Sequence, residues 1–167
     1  MVEGSRTVRI PDCEVVTIGK FENEKLIQGT QTVLTPVVKV TSTGKFENGI
    51  LIVGLQTVCN SDIEYMISEG KFENEILVEG VQTVPAGKFI GKFNNGLLNG
   101  LGSLVLVNGV EFIGTFNGGK LNGEGEIIFP DGRIVQGIFH DAQLVNLPAQ
   151  FSIEEIPNFI PHSSPVA

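Results

Sequence analysis

A glycine, a phenylalanine two residues later and a leucine five residues beyond that recur six times in this chain. The copies are Gly19/Phe21/Leu26, Gly44/Phe46/Leu51, Gly70/Phe72/Leu77, Gly91/Phe93/Leu98, Gly114/Phe116/Leu121 and Gly137/Phe139/Leu144. Successive glycines lie 25, 26, 21, 23 and 23 residues apart, while the glycine-to-leucine distance is always seven. A rigid internal spacing inside a variable outer period describes one supersecondary unit repeated, with length changes confined to its connections.

The four residues between each Phe and Leu have turn chemistry: Glu22-Asn23-Glu24-Lys25, Glu47-Asn48-Gly49-Ile50, Glu73-Asn74-Glu75-Ile76, Asn94-Asn95-Gly96-Leu97, Asn117-Gly118-Gly119-Lys120 and His140-Asp141-Ala142-Gln143. Asn and Gly tolerate the positive φ that tight hairpin turns demand. β-Branched and aromatic residues flank the turns, as strands favour. No stretch sustains a 3.6-residue apolar period, so no helix is expected. Each unit therefore reads as a β-hairpin, and the fold class as all-β: an elongated, twisted antiparallel sheet, or solenoid, of successive hairpins.

Strand alternation sets the faces. The repeated Gly and Phe share one face, and six aligned rings, each contributing about 1.5–3 kcal/mol on burial, form a spine. The opposite face carries Lys20/Glu22, Lys45/Glu47 and Lys71/Glu73, which read as a solvated face of alternating sign with diagonal Lys–Glu pairing. Thr32, Thr57 and Thr83 make a further column, for which cross-strand hydrogen bonding is a better account than recognition of an ordered surface such as ice.

The chain divides into a lead-in over 1–13, in which 7–10 can add an edge strand, three hairpins over 14–84, three tighter ones over 85–144, and a Pro-rich tail over 145–167. The tail's run Phe159, Ile160, Pro161 either docks on a partner or, the preferred reading, belongs to a cap on the last hairpin.

The three tighter hairpins carry a family resemblance. Phe89-Ile-Gly91-Lys-Phe93-Asn-Asn-Gly96-Leu-Leu98-Asn-Gly100-Leu-Gly102 is echoed by Phe112-Ile-Gly114-Thr-Phe116-Asn-Gly118-Gly-Lys-Leu121-Asn-Gly123-Glu-Gly125, followed by Phe129-Pro-Asp131-Gly132 and Val135-Gln-Gly137-Ile-Phe139. This resembles the MORN repeat (membrane occupation and recognition nexus) over residues 88–140. The first three hairpins read as diverged copies. Thr17, Ser42 and Ser68 replace the leading aromatic; one residue is added between Leu and the next Gly, as a bulge would require; Gln31, Gln56 and Gln82 replace the second Gly. The resemblance implies a scaffold or interaction module of cytoskeletal, ciliary or membrane-junction settings.

A formal charge of −8 and an isoelectric point near 4.7 argue against nucleic acid, whose phosphates are bound by Lys and Arg. They also disfavour an anionic membrane surface, so the phosphoinositide binding attributed to some MORN proteins is not carried over. Cys13 and Cys59 fit neither a metal knuckle nor a disulfide framework, and with no apolar leader the expected setting is cytoplasmic.

No catalytic set, cofactor or metal site emerges. His140 and His162 have no ligand-spaced partners; Gly100-x-Gly102 and Gly123-x-Gly125 lack the Lys-Ser/Thr of a phosphate loop; Glu124/Glu126 simply share a strand face. The expected function is a non-enzymatic scaffold that meets protein partners, in a larger assembly or a homo-oligomer, through its Phe-lined face, strand edges or tail. The alternatives are a peripheral phosphoinositide-binding module, or a targeting subunit for an enzyme carried on another chain.

Overall fold

The computed structural model describes residues 1–60 and 65–145. They fold into thirteen strands arranged as successive antiparallel hairpins, with no helix among them. The chain forms two compact units, Met1–Pro85 and a second from Ala86 onward.

In the first unit β1 (Val2–Ile10), β2 (Cys13–Glu22), β3 (Lys25–Leu34), β4 (Val38–Glu47), β5 (Ile50–Asn60), β6 (Tyr65–Glu73) and β7 (Ile76–Val84) lie side by side in chain order. In the second, β8 (Gly87–Asn94), β9 (Leu97–Leu106), β10 (Glu111–Asn117), β11 (Lys120–Ile128), β12 (Ile134–His140) and the two-residue β13 (Gln143–Leu144) do the same.

The turns explain why these residues make hairpins. In all six repeats the two central turn residues have positive φ, as at Asn48 (53°) and Gly49 (84°). That is the type I′ geometry whose twist matches the flanking strands. Glu24, Glu75 and Ala142 occupy the second position without being glycine, at φ 63°, 66° and 67°, and bear the steric cost of that region.

Strand register puts glycine opposite glycine. In the first unit the row runs Gly4, Gly19, Gly29, Gly44, Gly54, Gly70, Gly80, one residue from each strand. In the second it runs Gly91, Gly102, Gly114, Gly125, Gly137. Within a hairpin the two glycines approach so closely that no side chain fits. A Cβ on Gly44 would overlap the Val53 carbonyl oxygen and stand 2.8 Å from the Gly54 Cα.

The bulges revise the sequence alignment of the two repeat types. Gly19 pairs with Gly29, three residues after Leu26, while Gly91 pairs with Gly102, four residues after Leu98. The first-unit repeats therefore lack a residue between Leu and the paired Gly; they do not gain one. The second-unit bulges hold the extra residue at Gly100 and Gly123, both at φ 87°, facing the backbone positions of Phe116 and Phe139 on the next strand. These loops are tied onward: the Gly119 N–H donates to the Leu98 carbonyl and the Ala142 N–H to the Leu121 carbonyl, both at 2.9 Å.

Candidate functional site

The inner face is the one on which the glycine rows and the Phe spine lie. In the first unit Phe46 and Phe72 are buried and Phe21, nearer the β1 edge, is half-buried; Leu26, Leu51 and Leu77 are buried against them. In the second unit Phe93, Phe116 and Phe139 are buried with Leu98 and Leu121, and Leu144 is half-buried. Each Phe stands directly opposite its repeat's Leu, as Phe46 does Leu51. The Gly, Phe and Leu of each repeat thus meet at one place in its hairpin. Phe159, Ile160, Pro161 and His162 lie outside the described residues.

The corrected register exposes a row the sequence reading had misplaced. Gln31, Gln56 and Gln82 stand opposite Thr17, Ser42 and Ser68. The equivalent pairs in the second unit are Leu104 with Phe89 and Ile127 with Phe112. An apolar inner row in one unit is thus an alternating hydroxyl–amide row in the other. Thr17, Ser42, Ser68 and Gln82 are buried, and the Gln56 amide donates to Ser42 Oγ at 3.3 Å. Buried polar groups require such partners, and no buried side-chain polar atom among the described residues lacks one. The signal was present in sequence, since Gln recurs five residues after each Leu, but two glycines in Leu-x-Gly-x-Gly left the alignment ambiguous.

The outer face carries the charges, paired differently from expectation. Lys71 meets Glu79 directly across the hairpin at 2.7 Å, and Lys20 reaches Glu3 at 4.0 Å. The partners come from the adjacent strand and not from the Lys–Glu columns, because directly opposed Cβ atoms are closer than diagonal ones. The hydrogen bond and charge of Glu79 hold the Lys71 ammonium above its ordinary pKa. In the Phe129–Arg133 connection the Arg133 N–H and guanidinium both donate to the Asp131 carboxylate, which lowers the pKa of Asp131; the guanidinium also sits 4.9 Å from the Phe129 ring centroid. Thr32 and Thr57 flank Thr41 in one outer row, and Thr30 and Thr43 in the next are hydrogen-bonded at 3.1 Å. Apolar side chains stand among them: Ile18, Val53 and Leu55 are exposed on this face, as are Ile90 and Ile138 in the second unit.

Residues with chemical potential are dispersed. His140 is exposed, 3.6 Å from Asp141. Cys59 is exposed on the outer face and Cys13 half-buried on the inner one, both as free thiols. Glu124 and Glu126 share the outer face of β11 beside an open depression of about 560 Å³ also lined by Ile113, Gln136 and Ile138, and the Gln136 amide hydrogen-bonds to Glu126 at 2.6 Å. Among the described residues no three His, Cys, Asp or Glu side chains group as metal ligands, and no helix is long and apolar enough to cross a membrane.

The sequence reading also passed over a feature of β1. Met1-Val-Glu-Gly4-Ser-Arg-Thr-Val8 follows Leu77-Val-Glu-Gly80-Val-Gln-Thr-Val84 position by position, with Val, Glu, Gly, Thr and Val in common. β1 is the second strand of a repeat, and it pairs with β2 along its whole length. Without a Phe it left no trace in the motif that located the others.

Comparison with known families agrees with the hairpin geometry. The MORN repeat model matches residues 89–111 and 112–132, which hold β8 from Phe89 onward, β9, β10 and β11. No curated protein matches the chain. MORN repeats are non-enzymatic modules associated with protein and membrane interactions. With the aromatic-x-Gly-x-Phe strand, the Gly turn and the Leu-x-Gly-x-Gly bulge all in place, residues 89–132 are similar to two consecutive MORN repeats in both sequence and hairpin geometry.

Proposed function

We propose that the chain is a non-enzymatic cytoplasmic scaffold whose hairpin array holds protein partners within a larger assembly. One observation carries this reading: each unit has an outer face of evenly spaced strands, with Ile18, Val53 and Leu55 exposed among Thr, Lys and Glu in the first and Ile90 and Ile138 exposed in the second. Apolar side chains set in a polar frame suit recognition of another protein. Such a surface contacts a partner over many small contributions, and nothing in it has to react.

The acidic balance favours protein over anionic lipid, for which the attraction would come from Lys and Arg. The test is cross-linking mass spectrometry on the natively expressed chain, alongside an Ile18→Glu/Leu55→Glu variant and a flotation assay with phosphoinositide vesicles. The expected result is a reproducible set of protein partners that the variant loses at unchanged melting temperature, with no flotation. Partners retained in full by the variant, or flotation without partners, would refute the reading.

A further inference from the structure

The depression on the outer face of the second unit, about 560 Å³ in volume, is lined by two acids and by no base. Its floor is the backbone of Gly114, Gly125 and Gly137, neighbours in the glycine row across β10, β11 and β12. Side chains from the positions before and after that row form its margins. Ile113 and Glu126 stand opposite each other on one side, Glu124 and Ile138 on the other. Glu124 and Glu126 lie two residues apart on β11, about 6.5–7 Å along the strand, so they flank Gly125 from both sides. One cation seated over Gly125 at about 2.8 Å from an oxygen of each carboxylate spans that separation. The described ion pairs of the second unit, Lys120–Asp141, Arg133–Asp131 and His140–Asp141, involve neither carboxylate. Glu126 is held by the Gln136 amide at 2.6 Å, and Glu124 is exposed.

Carboxylates alone would suit any cation, but the other two margins are aliphatic. Lys and Arg side chains combine a charged head with an apolar stem, and Ile113 and Ile138 offer that stem a surface on either side of β11. We propose that this depression receives a lysine or arginine side chain from an extended segment of a partner protein. The charged head lies between Glu124 and Glu126, and the stem lies against Ile113 and Ile138. Charge selects the occupant. Residues 146–167 carry Glu154 and Glu155 and neither Lys nor Arg, so they match the sign of the depression instead of complementing it. A second copy, at net charge −8, is repelled as it approaches. A basic segment of another protein is attracted by the same field.

Such a site rests on the scaffold reading and adds to it the chemistry of one partner, and the two fail separately: partners that cross-link to a chain binding no basic peptide remove only the site. The test is fluorescence anisotropy of the full chain with a labelled peptide that alternates lysine and valine, and with its glutamate–valine counterpart. The expected result is binding of the lysine peptide alone, weakening as salt is added. Glu124→Gln/Glu126→Gln should weaken it by about tenfold at unchanged melting temperature, since Gln keeps the shape and removes only the charge. Ile138→Ala, which leaves the charge untouched, should also weaken it. Glu22→Gln/Glu47→Gln removes the same charge from exposed positions of the first unit and should leave binding as it was. No binding by the wild type, the outcome if residues 146–167 or a second copy fill the depression, overturns the proposal. So does equal binding of the glutamate peptide, or an equal loss in the two double variants.

Discussion

Replacing Gly44 by Ala tests the packing rule on which the hairpins depend. The residue lies at φ 155°, a region that side-chain-bearing residues avoid, and holding Ala there costs about 1–3 kcal/mol. The new Cβ would overlap the Val53 carbonyl oxygen and stand 2.8 Å from the Gly54 Cα, so the strands must separate. Both obstacles are backbone atoms, and no flexible side chain can swing away. Loosening two neighbouring ladder bonds adds about 1 kcal/mol each. The sum is about 3–5 kcal/mol, against roughly 4–13 kcal/mol for a unit of this size. At about 4–8 °C per kcal/mol, melting should fall by roughly 12–40 °C. Gly49→Ala is the control: it also has positive φ (84°), but a Cβ there has open space, so only about 1–2 kcal/mol is lost. Urea denaturation and calorimetry of both variants read the difference. Equal losses would show that the strands do not approach as closely as described.

Phe116→Ala and Leu98→Ala remove fully buried side chains and should cost about 3–5 and 2–5 kcal/mol by urea titration, whereas Ile138→Ala on the outer face should stay within about 0.5 kcal/mol. Ser42→Ala leaves the Gln56 amide without its hydroxyl and should destabilise by about 1–3 kcal/mol, while Ser42→Val with Gln56→Leu, which restores the apolar pair of the second unit, should recover most of that loss. Ala142→Gly relieves a non-glycine residue at φ 67° and should raise the melting temperature, by about 0.5–1 kcal/mol in stability. Asp131 has a pKa lowered from 3.8 by Arg133, so its contribution is fully present above that value and is lost as pH falls through the lower, folded-state value; an acid titration of stability should lose that step in Asp131→Asn.

The positions of all six hairpins were legible because the turn demands positive φ at two adjacent residues, and the first of them is Asn, Gly or Asp in every repeat. The Phe and Leu were legible for a related reason: they flank the turn at a distance the bulge cannot alter. Beyond the bulge the reading lost its place. Leu98-Asn-Gly100-Leu-Gly102 offers two glycines, one filling a bulge and one facing Gly91, and only the cross-strand partner tells them apart. Choosing the first hid the Ser–Gln row and turned a missing residue into an added one. β1 was legible only as an edge strand over 7–10, within the observed Val2–Ile10, and its kinship to the repeat was missed because the turn and Phe are the parts it does not carry. The charge pairs could not be read, since Lys71 and Glu79 are eight residues apart and meet only once the hairpin closes.

The central claim is that both kinds of repeat are one hairpin, held in register by opposed glycines. Cross-strand Hα–Hα NOEs in a uniformly labelled sample test it directly. The account predicts strong connections for Gly19–Gly29, Gly44–Gly54 and Gly70–Gly80 in the first unit and for Gly91–Gly102 and Gly114–Gly125 in the second. Connections from Gly91 to Gly100, or from Gly19 to Gln31, in place of these would contradict it.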